Sequence, residues 1–88
     1  MTVEFIEPAI YDPIKEAVVI KASVNGSEVK CYFTANLIVD TNPDTWSGDY
    51  LQQFLSYQSY FEQLARSAIE DGRIHNGSVR ITSKDLPD

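Results

Sequence analysis

The densest run of oxygen-bearing side chains is Asp40-Thr41-Asn42-Pro43-Asp44, which puts ligand types at the first, third and fifth positions of a calcium-binding loop. The rest of such a loop is missing. Thr45 stands where the turn demands glycine, Leu51 stands where a bidentate glutamate closes the shell, and Pro43 restricts the backbone between ligands. The run therefore reads as a loop leading to a helix cap, with no metal site. Cys31 is the single cysteine, and a nucleophilic thiol needs both exposure and a neighbouring base. The single histidine is His75, beyond a helix in the turn Arg73 to Asn76. One cysteine and one histidine fall short of the four ligands of a structural zinc.

Asn25-Gly26-Ser27 and Asn76-Gly77-Ser78 match the glycosylation acceptor pattern, yet both read as turns, and the pattern matters only in a secreted chain. Thirteen carboxylates allow many acid–base pairs, but none carries a signature, so solvation is their expected role. The sequence contains no phosphate-cradling glycine loop, serine nucleophile elbow or metalloprotease helix motif. No catalytic residue and no cofactor are assigned.

Composition narrows the class of partner. Asp and Glu outnumber Lys and Arg by 13 to 7, giving a net charge of −6, and a field of that sign repels nucleic-acid phosphates. No stretch approaches the ~20 apolar residues of a membrane span, and the N-terminal residues lack a basic start and apolar run. A cytosolic location is expected, with neither membrane nor direct nucleic-acid contact. The lone cysteine agrees with a reducing compartment. The length of 88 residues with 43% hydrophobic content predicts one folded domain over 1–88 with a thin core, for which self-association would cover further apolar surface.

The elements that must position these residues follow from periodicity. Thr2 to Ile6 alternates, with Val3 and Phe5 on one face, and Pro8 closes this first strand. Asp12-Pro13 signals a turn, and a β-branched run from Ala17 to Val24 gives strand two, beginning near Glu16. Asn25-Gly26 predicts a two-residue hairpin into a third strand, Ser27 to Thr34. Its register sets Val24 opposite Ser27, Ala22 opposite Val29, Ile20 opposite Cys31 and Val18 opposite Phe33 on an apolar face. On the other face Val19 meets Tyr32 and Lys21 meets Lys30, and like charges across strands call for an anion. Glu4 is expected to supply it.

From Tyr50 to Ile69, apolar residues at three- and four-residue steps fill an arc of roughly 140°, predicting one long amphipathic helix. Ser47 or Asp44 would cap its start, and Gly72 its end. Ser78 to Thr82 reads as a final strand with Val79 and Ile81 inward. The fold class is α+β, in the order β-β-β-α-β: a small, mostly antiparallel sheet with the helix on its apolar face.

Tyr11-Asp12, Ala17-Val18-Val19-Ile20, Val24 to Phe33, Leu64-Ala65-Arg66 and Val79 to Leu86 together resemble the bacterial family called domain of unknown function 1488. The resemblance spans nearly the whole chain, through core and turn residues. It implies a short cytosolic bacterial protein and brings no established activity or site. Members of that family often continue the third strand into a short helix. Asn36 to Trp46, with Pro43 and several turn formers, reads as a departure from that pattern.

Two groupings carry functional expectation. The outer sheet face of Val19, Lys21, Lys30 and Tyr32 is a mixed aromatic and cationic surface, and Trp46 with Tyr50 at the helix entrance is either a partner anchor or a plug for one end of the core. The leading reading is a non-enzymatic interaction domain, self-associating or docking a protein partner through a sheet edge or this face. One alternative is a binder of an anionic small molecule, or a minor enzyme, using Cys31, His75 or the Lys21 and Lys30 pair. Another is an accessory to a transcription or RNA-associated complex.

Overall fold

The computed structural model describes residues 1–87. Three strands follow one another as a meander: β1 (Val3–Asp12), β2 (Ala17–Val24) and β3 (Ser27–Thr34). Three helices come next, α1 (Ala35–Thr41), α2 (Tyr50–Ser56) and α3 (Gln58–Glu70), before β4 (Ser78–Ile81). The sheet order is β1-β2-β3-β4, antiparallel except that β4 joins β3 in parallel. A parallel neighbour requires a crossover connection, and the three helices provide it.

The central hairpin has the register that its two-residue loop dictates, with Val24 opposite Ser27, Ile20 opposite Cys31, Val19 opposite Tyr32 and Lys21 opposite Lys30. Asn25 and Gly26 take φ of 51° and 88°, the positive values of a type I′ turn. Val18, Ile20 and Ala22 of β2, Cys31 and Phe33 of β3, and Val79 and Ile81 of β4 form the inner face. Leu37 and Ile38 of α1, Phe54 of α2, and Phe61, Ala65, Ala68 and Ile69 of α3 close over it.

β1 does not stop at Pro8. It continues to Asp12 because Glu7, Pro8 and Ala9 bulge between Ile6, opposite Lys21, and Ile10, opposite Val19. Proline lacks the N–H that a ladder needs, and a bulge on an edge strand is where that loss is tolerated. The following turn is held by Asp12 Oδ1, which accepts from the backbone N–H of Ile14 at 2.9 Å and of Lys15 at 3.2 Å.

Residues 35–41 form a helix directly after the third strand, as in the family resembled, rather than departing from it. Thr34 caps it, with Oγ1 accepting from Leu37 N–H at 3.3 Å, and Leu37 and Ile38 are buried beneath it. Pro43 falls after this helix, at the start of a 3₁₀ turn, Pro43–Thr45, where its fixed φ suits a first helical position.

The single long helix expected from Tyr50 to Ile69 is two helices, broken at Tyr57 (φ −125°, ψ 28°). The break has a packing cause. Phe54 and Phe61 stack with ring centroids 5.3 Å apart, and both contact Phe33, whereas seven residues of straight helix span about 10.5 Å of axis. Tyr57 is held in the bend from outside, since its Oη accepts from Asn42 Nδ2 at 2.9 Å. The cap at the start of α2 is Asp49, neither Ser47 nor Asp44, with Oδ1 accepting from Gln52 N–H at 3.1 Å. Gly72 ends α3 as expected, at φ +79°. The N–H groups of Gly72 and Arg73 donate to Ile69 and Ala68 carbonyls at 3.0 and 3.1 Å, a Schellman closure that favours glycine.

Candidate interaction face

The helices cover one side of the sheet, and alternation along the strands leaves the other side to solvent. Cross-strand partners share a face, so Ile6 joins Lys21, and Ile10 joins Val19. On β3 and β4, Tyr32 lies beside Arg80. Ile6 is 46% and Ile10 56% exposed, while Val19 and Tyr32 are half-buried among their neighbours. Lys15 reaches over Tyr32 with Nζ 5.7 Å from the ring centroid, a cation–π arrangement. Lys15, Lys21, Lys30 and Arg80 thus surround an apolar strip of Ile6, Ile10, Val19 and Tyr32. Four of the seven Lys and Arg of this acidic chain stand here.

The anion beside Lys21 is Glu28, at 4.0 Å, and not Glu4. Glu4 lies opposite Ser23, two residues further along the ladder, and Lys21 faces the apolar Ile6. Both members of the Lys21–Glu28 contact are more than half exposed, so it is screened and worth little.

The sheet edges differ from this face in that some of their outward backbone groups already have partners. Antiparallel pairing alternates between residues that bond to the neighbour and residues that point away. Since Asn25 N–H donates to Thr2 O, Val3 points away from β2. Its carbonyl accepts from Arg66 Nη1 at 3.1 Å. On β4, Ser78 exchanges backbone bonds with His75 at 2.8 and 3.1 Å, and the Arg80 carbonyl accepts from Arg73 Nη2 at 2.8 Å. Arg73 is in turn held by Asp85, which also accepts from Thr82 N–H at 2.8 Å. Arg73's donation and the Thr82 bond hold the Asp85 carboxyl below its usual range.

Trp46 does not join Val19, Lys21, Lys30 and Tyr32. It packs on Tyr50 at 4.9 Å, and Tyr50 stacks on Tyr11 at 5.1 Å. Tyr11 is opposite buried Val18, so the trio belongs to the helix side and plugs one end of the core. Cys31 has no exposed surface, and burial pushes its thiol up to about 12; it is a small core residue and not a nucleophile at neutral pH. His75 is exposed in its turn, away from that interior. Among the described residues no group of three His, Cys, Asp or Glu is placed to hold a metal, and no helix is long and apolar enough to cross a membrane.

Ile6, Ile10, Lys15 and Arg80 were not singled out by sequence. A strand that stops at Pro8 omits Ile10, although Ala9-Ile10-Tyr11-Asp12 resumes the alternation. Arg80 was legible, lying between the two inward residues Val79 and Ile81.

A family described as "Protein of unknown function (DUF1488)" matches residues 3–81. A crystal structure of a protein of unknown function from the same family, from Shewanella loihica PV-4, superposes with a TM-score of 0.78 at 20% identity and covers 90% of both chains. At that identity the likeness is one of fold. Among curated proteins none matches the chain.

Proposed function

The chain belongs to the DUF1488 family of proteins of unknown function, and we propose that it is a non-enzymatic interaction domain that docks an acidic protein partner on its open sheet face. The observation that carries this reading is the strip of Ile6, Ile10, Val19 and Tyr32 ringed by Lys15, Lys21, Lys30 and Arg80 in a chain of net charge −6. Exposed apolar residues flanked by four cations suit a partner carrying acidic groups, with Glu4 and Glu28 confined to the Ser23 end of the same face. The bulge and the occupied Val3 carbonyl on β1, and the occupied Ser78 and Arg80 groups on β4, favour the face over strand addition at an edge. A two-fold dimer with its axis at Lys21 and Lys30 would set them against a second such pair, which favours a different protein as the partner.

The test is co-purification of the tagged domain from its host beside a Lys21→Glu, Lys30→Glu variant checked for folding by circular dichroism, followed by reconstitution with the captured protein. The reading predicts that the captured protein is lost by the variant and that reconstituted binding weakens as salt rises. Equal capture by both proteins, capture by neither, or a domain that is dimeric by light scattering through this face would overturn it.

A further inference from the structure

A cleft of about 310 Å³ lies where the end of β4 meets the start of α1, lined by Thr34, Asn36, Arg80, Thr82, Ser83 and Lys84. Its chemistry differs from that of the open face. Thr34 Oγ1 accepts from Leu37 N–H and Thr82 Oγ1 from Lys84 N–H. Each hydroxyl proton is then left to donate elsewhere. The Asn36 amide carries two more donors. Arg80 and Lys84 have no carboxylate within ion-pair reach among the described residues, although acids outnumber bases nearly two to one in the chain. Their charges are left over beside a concave, hydroxyl-lined space.

Of the neighbouring acids, Asp85 is paired with Arg73, and Asp40, which accepts from Ser83 Oγ at 2.7 Å, leaves one negative charge at the rim. An adjoining hollow, sharing Thr34, Asn36 and Arg80, adds Lys15 and Glu16.

We infer that this cleft binds a phosphate-class oxyanion, either free phosphate or the phosphate of a monoester. The donors of Thr34, Asn36, Arg80, Thr82 and Lys84, from two stretches of chain, exceed what the two oxygens of a carboxylate engage. A group with three or four oxygens and a charge near −2 at pH 7 uses them all. The Arg80 guanidinium on β4 and the Lys84 ammonium in the turn that follows it supply the charge, and the Thr34 and Thr82 hydroxyls and the Asn36 amide fix orientation. This inference does not rest on the docking reading, because its ligand is a small anion.

The experiment is an amide-shift NMR titration of the isolated domain at fixed ionic strength, with inorganic phosphate, O-phosphoserine and acetate replacing chloride. Saturable shifts are expected at Thr34, Asn36, Arg80, Thr82 and Lys84 with the two phosphates. Equal affinity assigns the free ion, and tighter phosphoserine binding assigns a monoester. Arg80→Gln and Lys84→Gln, both changes at exposed side chains, should each weaken binding about tenfold, the loss of one charge-assisted contact. The Lys21→Glu, Lys30→Glu variant should retain the response, since the cleft shares only Arg80 with the four cations of the docking face. The inference is overturned if shifts fail to saturate, if they survive both glutamine variants unchanged, or if acetate matches phosphate.

Discussion

Arg66, on helix α3, donates from Nη1 to the carbonyl of Val3 at 3.1 Å and lies with its guanidinium carbon 5.5 Å from the centroid of Phe5. One side chain thereby ties the helical layer to the free edge of β1 and covers the outermost residues of that edge. At the other edge Arg73, in the turn after α3, donates to the carbonyl of Arg80. Each edge strand carries an arginine on a carbonyl that another chain would otherwise use.

Arg66→Ala should therefore have two effects. Loss of a charge-assisted bond and a cation–π contact is expected to cost about 1–2 kcal/mol in urea denaturation. An uncovered β1 edge should also raise the apparent mass in light scattering at high concentration. A variant as stable and as monomeric as the parent would show that the edge is protected by its bulge alone.

Asp85 gives a pH signature. Its carboxyl titrates lower in the folded protein than in the unfolded chain, chiefly through the Arg73 hydrogen bond and then the Thr82 N–H. Its contribution is present above the unfolded value of about 3.9 and is lost as pH falls through the lower folded value. Asp85→Asn should be less stable at pH 7 by about 1 kcal/mol, a modest figure because Arg73 is 40% exposed and its charge is screened. The two proteins should converge in acid. Thermal melts from pH 2 to 7, scored as the difference between them, check this.

Cys31 works at the opposite end of the scale. The folded thiol is held up to about 12 by burial, while the unfolded thiol ionises near 8.5. Stability from this group is present below the unfolded value and falls above it, by about 1.4 kcal/mol per pH unit between the two. Cys31→Ala should be less stable at neutral pH by about 1 kcal/mol and lose that disadvantage as pH rises past 9. Parallel urea midpoints at pH 7 and 10 decide the matter.

Tyr57→Phe removes the hydroxyl that receives Asn42 Nδ2 and lies 3.2 Å from Thr45 Oγ1. A cost of about 1 kcal/mol is expected, with hydrogen exchange rising at residues 42–45 and at the α2–α3 junction. Exchange confined to the substituted residue would mean that the Phe54–Phe61 stack alone sets the bend.

Much of the fold was legible because it is encoded locally. Asn25-Gly26 fixes the hairpin register, and with it the faces of Lys21, Lys30 and Tyr32, without reference to the rest of the chain. The misread parts depend on contacts distant in sequence. The helix break at Tyr57 reflects a stack that includes Phe33 and a bond from Asn42, neither of which periodicity along residues 50–69 can register. The continuation of β1 past Pro8 depends on β2 accommodating a bulge. The packing of Trp46 on Tyr50, and of Tyr50 on Tyr11, joins residues 46 and 50 to residue 11, a contact that residue type alone does not reveal. The Arg80–Lys84 cleft joins residues 34–36 to residues 80–84, a juxtaposition made by parallel pairing that sequence order conceals.

That parallel pairing also orders the assembly of the domain. The meander of β1, β2 and β3 forms from neighbours in sequence, but β4 reaches β3 only after residues 35–77 have crossed the sheet. Contacts of such long separation form late. Until then the backbone of Lys30 to Phe33 is an unfinished edge beside bare apolar side chains of Cys31 and Phe33, a template for pairing with another chain. Substitutions that loosen α3 should thus reveal themselves first as aggregation during refolding, before any loss of the hairpin, with the helices acting as a guard for the strand that completes the sheet.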